Sequence, residues 1–165
     1  MNKTIQIARD FAIKKHGNKL YGVHSYVYHL DMVYEEAKIL NLDNDYLVSS
    51  YLHDLLEDTN TTKKEIELLF NKRVSDMVDS VSGGGLNRKE KKISMINKLM
   101  DFKDGINLKM IDRFVNMRES KLNNEKLFNM YVKELDDYNQ LFKMGDLRIL
   151  DKINKLLIPT QKLKY

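Results

Sequence analysis

Two histidines and two carboxylates hold most of the chemistry that this chain could perform: His29, the adjacent pair His53-Asp54, and Asp112. The pair sits in Leu52-His53-Asp54-Leu55-Leu56-Glu57-Asp58-Thr59, an apolar stretch of helical character. Burying a His-Asp pair there is costly unless a cation or hydrogen-bond partners answer its charge. Two imidazoles with two carboxylates match the ligand set of a borderline-hard divalent metal such as Mn²⁺, Fe²⁺ or Zn²⁺. Glu57 follows His53 by four residues and Asp58 follows Asp54 by four. On a helix such positions share a face, so this second carboxylate pair is expected one turn from the ligands, placed to hold or deprotonate a metal-bound water. Ser49 and Ser50 precede the pair and keep its face small. His29 and Asp112 lie on other expected helices, from which they could converge on the same ion.

Around this tetrad stand residues with both a chemical and a plain reading. Asp112 and Asn116 share a helix face, which makes Asn116 a candidate amide for a ligand contact or for substrate; Asp112-Arg113 alone would read as an ordinary surface step. Arg88, Lys89 and Lys92 follow the triple glycine Gly83-Gly84-Gly85. Glycines permit close backbone approach and a helix start favours anions, so these cations could grip phosphates. A solvated helix start after a flexible loop explains them equally well, and the segment lacks the P-loop pattern. Tyr26 reads as a core-edge residue that could also stack on a base. Tyr131 and Tyr138 read as packing. His16 reads as a helix C-terminal residue, where positive charge is favourable.

These groups must be positioned by helices. Apolar residues recur at three and four along nearly the whole chain of 165 residues, long enough for one domain spanning 1–165 with a real core. One proline and seven glycines argue against a turn-rich β fold. The pattern predicts an all-α fold of eight or nine helices: about Lys3–His16 stopped by Gly17; a helix capped by Ser25; one after Asp43/Asn44 running through Leu56; a short one with a Thr62/Glu65 capping box; about Arg73–Val81; a basic one from Asn87; then about Leu108–Arg118, Asn123–Phe142 and Asp146–Leu157. No cysteine is present, which excludes disulfides and thiolate sites and suits a cytoplasmic protein. No apolar run of about 18 residues predicts a membrane span, and Met1–Ile5 has no signal-peptide character. The net charge of +4 is spread along the chain. It suits a small anionic substrate, whereas nucleic acid is not expected as a partner.

In combination and order these residues resemble the HD-domain metal-dependent phosphohydrolases, and more narrowly the hydrolase domain of the RelA/SpoT alarmone enzymes and their small stand-alone relatives. The likeness covers about residues 6–120. Its motifs are Ala8-Arg9-Asp10-Phe11-Ala12 with His16-Gly17, Tyr26-x-x-His29, Leu52-His53-Asp54-x-x-Glu57-Asp58-Thr59, Asn87-Arg88-Lys89, and Asp112-Arg113-x-x-Asn116-Met117-Arg118. The resemblance implies an HD-domain helical bundle with His29, His53, Asp54 and Asp112 holding Mn²⁺ and Glu57 and Asp58 handling the nucleophilic water. Lys19, Tyr26, Arg88, Lys89, Lys92 and Asn116 would contact substrate. The implied reaction removes the 3′-pyrophosphate of guanosine tetra- or pentaphosphate. The alternatives are the same chemistry on an adenosine alarmone, an NADPH-type 2′-phosphate or a deoxynucleotide, or a non-catalytic, antitoxin-like binder on the same scaffold. The stretch Lys19-Leu20-Tyr21-Gly22 lacks the arginine usual in the alarmone hydrolases, and Ser25 and Leu30 stand where proline is usual. The missing arginine leads to the expectation of a weaker preference for guanine.

Overall fold

The computed structural model describes residues 2–158; Met1 and residues 159–165, which fall within the single domain expected over 1–165, lie outside the described residues. Helix α1 spans Lys3–His16, its first turn capped by the Asn2 side chain, which accepts from the Ile5 N–H. It buries Ile5, Ala8 and Ala12 along one stripe and stops at Gly17, whose φ of 56° few other residues adopt. A two-residue hairpin follows, β1 (Leu20–Tyr21) antiparallel to β2 (His24–Ser25), turned by Gly22 at φ 61°. Strands this short leave no periodic signal, so the sequence pattern did not reveal the hairpin. It also changes the fate of Ser25. That residue lies in β2, and α2 (Val27–Ile39) begins at Tyr26 with no side-chain cap.

Helix α3 (Asn44–Leu52), capped by Asp43, ends at His53, and a single turn, α4 (Leu55–Asp58), resumes after Asp54. The helix expected to run through Leu56 is therefore broken at the His-Asp pair itself. Leu52 and Leu55 on either side are fully buried, each contributing roughly 1.5–3 kcal/mol of apolar burial that pins the break in place. Then come α5 (Lys63–Leu69, cap Thr62), α6 (Lys72–Val81, cap Asn71) and α7 (Arg88–Asp101, cap Asn87). Helices α8 (Gly105–Asn123), α9 (Glu125–Phe142, cap Asn124) and α10 (Leu147–Leu157, cap Asp146) complete the described chain. Among the described residues this makes nine helices of seven residues or more plus the α4 turn, the all-α architecture expected.

The core has two apolar clusters. One joins α1, α2, α3 and α6 through Ala8, Leu30, Tyr51, Leu52 and Val78; the other joins α2 and α6 to α8, α9 and α10 through Val33, Met77, Met110, Phe114, Tyr138 and Ile149. Helices α2 and α6 serve both clusters. This places His29 of α2, the α3–α4 break and Asp112 of α8 around one point.

At the start of α8, the backbone at Gly105 is pressed so closely on Ser80 of α6 and Leu99 of α7 that an added methyl would overlap both side chains. Gly105→Ala is expected to destabilise the fold by about 1–3 kcal/mol, as overpacking does. Urea denaturation should show a lower midpoint at unchanged slope; a midpoint equal to wild type would mean that the α6–α8 contact yields freely.

Candidate metal centre and its cationic cleft

Four side chains from three parts of the fold turn their polar atoms on one another. His29 Nε2 lies 3.2 Å from His53 Nε2, 3.5 Å from Asp54 Oδ2 and 3.4 Å from Asp112 Oδ1. His53 Nε2 lies 3.0 Å from Asp54 Oδ2 and 3.7 Å from Asp112 Oδ1. Ligand atoms about 2.0–2.2 Å from a common divalent ion stand roughly 3–3.6 Å apart, so this spacing fits a metal. His29, His53 and Asp54 form a metal-type donor group by themselves. The tautomer fits too. His53 Nδ1 is 2.9 Å from the Ser50 carbonyl, which only accepts, so Nδ1 holds a proton and Nε2 is the nitrogen left to meet an ion.

Both imidazoles are buried. Burial alone would lower their pKa values, but Asp54 and Asp112 outweigh it and raise both, His53 well above the ordinary value. Burial would raise the two carboxylates. The neighbouring His53 holds Asp54 far below the usual range, and Lys109 with the two histidines does the same for Asp112. The cluster thus favours positive charge at its centre.

An outer ring of contacts fixes the carboxylates. The Tyr26 hydroxyl donates to Asp54 Oδ2 at 2.6 Å. Lys109 Nζ donates to Asp112 Oδ2 at 2.9 Å, and Asn116 Nδ2 to Asp112 Oδ1 at 2.5 Å. Tyr21 donates to Asn116 Oδ1 at 2.9 Å, and its ring stacks on His29 at 4.7 Å. The centre opens into a cavity of about 260 Å³ whose lining includes three cations, Arg88, Lys109 and Arg113. These three also line an adjoining cavity of about 340 Å³, which adds Lys91, Lys92, Glu57 and Glu134. Arg113 is buried over the rings of Tyr131 and Tyr138, at 4.6 and 5.0 Å, and bonds Glu134 at 3.0 Å. Arg88 grips Glu134 with two bonds of 2.8 and 2.9 Å. Against the pull of burial, these arginines hold Glu134 at about 2.

Of the residues singled out from sequence, His29, His53, Asp54, Asp112, Tyr26, Asn116 and Arg88 come together here. Others are placed differently. Lys19 pairs with Asp58 and sets its ammonium 4.3 Å from the centre of the Tyr26 ring, so it braces Tyr26 and lines neither cavity. Tyr26 is packed on His16 at 4.3 Å with its hydroxyl on Asp54, which leaves it unsuited to stacking on a base. Glu57 accepts from the Gly83 N–H at 2.6 Å on the wall of the second cavity. Lys89 is exposed and lines neither cavity. Lys92 pairs with Asp137 at the second cavity's wall. His16 is no charged helix end: burial pushes its pKa down to about 4, and both ring nitrogens are buried without hydrogen-bond partners among the described residues.

Lys109, Arg113, Tyr131 and Glu134 escaped the sequence reading. Lys109 precedes Asp112 by three and Arg113 adjoins it, a signal available beforehand. Tyr131 and Glu134 sit on α9, and nothing local in that helix ties them to Asp112.

The fold is all-α, and two histidines and two carboxylates converge at its centre. No family model matches the chain. The guanosine-3′,5′-bis(diphosphate) 3′-pyrophosphohydrolase of Aquifex aeolicus is 38% identical over 79 residues, covering 47% of this chain and 11% of that protein. A probable guanosine-3′,5′-bis(diphosphate) 3′-pyrophosphohydrolase of Mycoplasma pneumoniae is 25% identical over 176 residues, covering 89% of this chain and 24% of that protein. The chain thus spans about a quarter or less of these curated relatives. A metazoan ortholog of SpoT, described as hydrolysing ppGpp, matches with a TM-score of 0.82 over 94% of each chain at 20% identity, a likeness of fold. No helix among the described residues is long and apolar enough to cross a membrane.

His53→Ala removes one donor of the cluster while leaving the buried leucines around it. It is expected to abolish stoichiometric divalent-metal binding, read by calorimetry, with the helical circular-dichroism spectrum kept. Full metal occupancy in the variant would count against His53 as a ligand.

Proposed function

We propose that the protein is a Mn²⁺-dependent nucleotide pyrophosphohydrolase that removes the 3′-pyrophosphate of guanosine tetra- or pentaphosphate. The observation that carries this reading is the donor cluster opening into a cavity walled by Arg88, Lys109 and Arg113. The names of the relatives in both sequence and fold point the same way.

His29, His53, Asp54 and Asp112 would hold the ion, which when bound lowers the pKa of a water and polarises a phosphoryl oxygen. Tyr26 and Lys109 keep the two carboxylates oriented. Arg88, Arg113 and Lys109 neutralise the phosphate charge, the main requirement of phosphoryl transfer. Glu57, on the cleft wall, takes the proton of the attacking water. Asp58 works at one remove, through Lys19 and Tyr26 on Asp54. The water oxygen bonds to the proximal phosphorus of the 3′ chain, the ribose 3′-oxygen leaves with a proton, and pyrophosphate is released.

The reading is tested by incubating the protein and Mn²⁺ with a panel of nucleotides and separating the products by chromatography. Guanosine 3′,5′-bis(diphosphate) should give GDP and pyrophosphate. Turnover of an adenosine alarmone, a 2′-phosphate or a deoxynucleotide in its place would move the substrate class, and no turnover of any would leave a binding scaffold.

The cleft wall makes its own prediction. Charge-assisted contacts contribute roughly 1.5–3 kcal/mol each. Arg88→Ala with Lys92→Ala should therefore raise KM at least tenfold for substrates with several phosphates. The rise should be much smaller for a single-phosphate substrate. Equal losses on both would show that this wall does not read phosphate number.

A further inference from the structure

A third cavity, of about 460 Å³, lies on the other side of Tyr21, which lines both it and the metal cavity. It is larger than the two that make up the cleft. Because Tyr21 stacks on His29, the space is one aromatic ring away from the donor cluster. Leu20 and Val23 of the hairpin and Leu127 of α9 give it apolar walls, and Glu119 of α8 gives it a carboxylate. An apolar space with a few placed polar groups is the usual form of a small-molecule site.

Glu119 is short of partners. Its side chain is 16% exposed, so solvent serves it poorly. Among the described residues it receives one hydrogen bond, a long one of 3.3 Å from the Tyr28 hydroxyl to Oε2. Arg118 Nε makes a long ion pair with Oε1 at 3.9 Å but is beyond hydrogen-bond reach, so it supplies charge without a donor bond. A carboxylate only accepts, and one held largely out of water with so few donors is costly unless something supplies them.

We infer that Glu119 is the specificity-determining residue for the base of the substrate proposed above, and that it reads the N1–H and N2–H₂ donors of guanine. These two donors lie side by side on the Watson–Crick edge, matching the two oxygens of a carboxylate. Adenine offers an acceptor, N1, at the same place and is rejected. A site built to bond a particular N–H discriminates far more strongly than an apolar pocket does. The ribose would then pass Tyr21, with the phosphates in the metal cavity. Guanine selectivity of this kind needs no arginine in residues 19–22, so it replaces the weakened preference expected from the arginine's absence.

The inference rests on the hydrolase reading, and its test separates the two. GDP, IDP and ADP are titrated by calorimetry into the Mn²⁺-loaded protein, wild type and Glu119→Gln, with circular dichroism confirming that the variant is folded. GDP should bind wild type at least tenfold more tightly than ADP, with IDP, which lacks the 2-amino group, in between. Glu119→Gln should bring GDP and ADP to within about twofold of each other. Equal affinities in wild type, or an unchanged GDP-to-ADP ratio in the variant, would overturn the inference. A guanine preference that Glu119→Gln abolishes supports it even where no nucleotide is hydrolysed, in which case the hydrolase reading alone fails.

Discussion

The arrangement of the whole molecule answers one electrostatic demand. Asp54 and Asp112 approach the same two imidazoles at 3.0–3.7 Å in a setting with little water. Like charges so close and so poorly solvated are expensive unless positive charge sits between them. Protonated histidines can provide it, which is why His29 and His53 are pushed upward, and a divalent cation provides it better. The interruption between α3 and α4 falls at this pair, both residues keep right-handed helical backbone, and their side chains bring His53 Nε2 and Asp54 Oδ2 to 3.0 Å.

What surrounds the cluster can be understood as graded compensation. Tyr26 and Lys109 each take one carboxylate oxygen, leaving the histidines to face the centre. Beyond them the buried guanidinium of Arg113 is tolerated because two aromatic faces and Glu134 receive it. The two apolar clusters meet at α2 and α6 and hold these charges in register.

The fold class and the His53-Asp54 pair were legible in the sequence because both are local. Helical periodicity is repeated over every element, and the His-Asp pair is contiguous. Helix starts at Asp43 and Thr62 could be read from side chains able to cap. What could not be read depends on partners distant in sequence. Lys19 and Asp58 look like substrate and water ligands until they are found bonded to each other. Tyr26 looks free to stack until His16 and Asp54 occupy its ring and its hydroxyl. Tyr131 looks like packing until α9 brings it to the wall of the metal cavity. The hairpin of Leu20–Ser25 has two residues per strand, too few for any alternation to register.

Glu134 gives the cleft a further property. It already occupies Arg88 and Arg113, so their wall is a salt-bridged surface with its own internal counter-ion. An incoming anion must therefore win by exchange, drawing two arginines away from a carboxylate that they hold strongly. A singly charged ion gains little from such a trade. A chain of phosphates, the kind of ligand proposed above, presents several charges at once and would gain at each contact. With such a substrate the cleft would be a threshold device, favouring ions whose charge is concentrated over small singly charged ones.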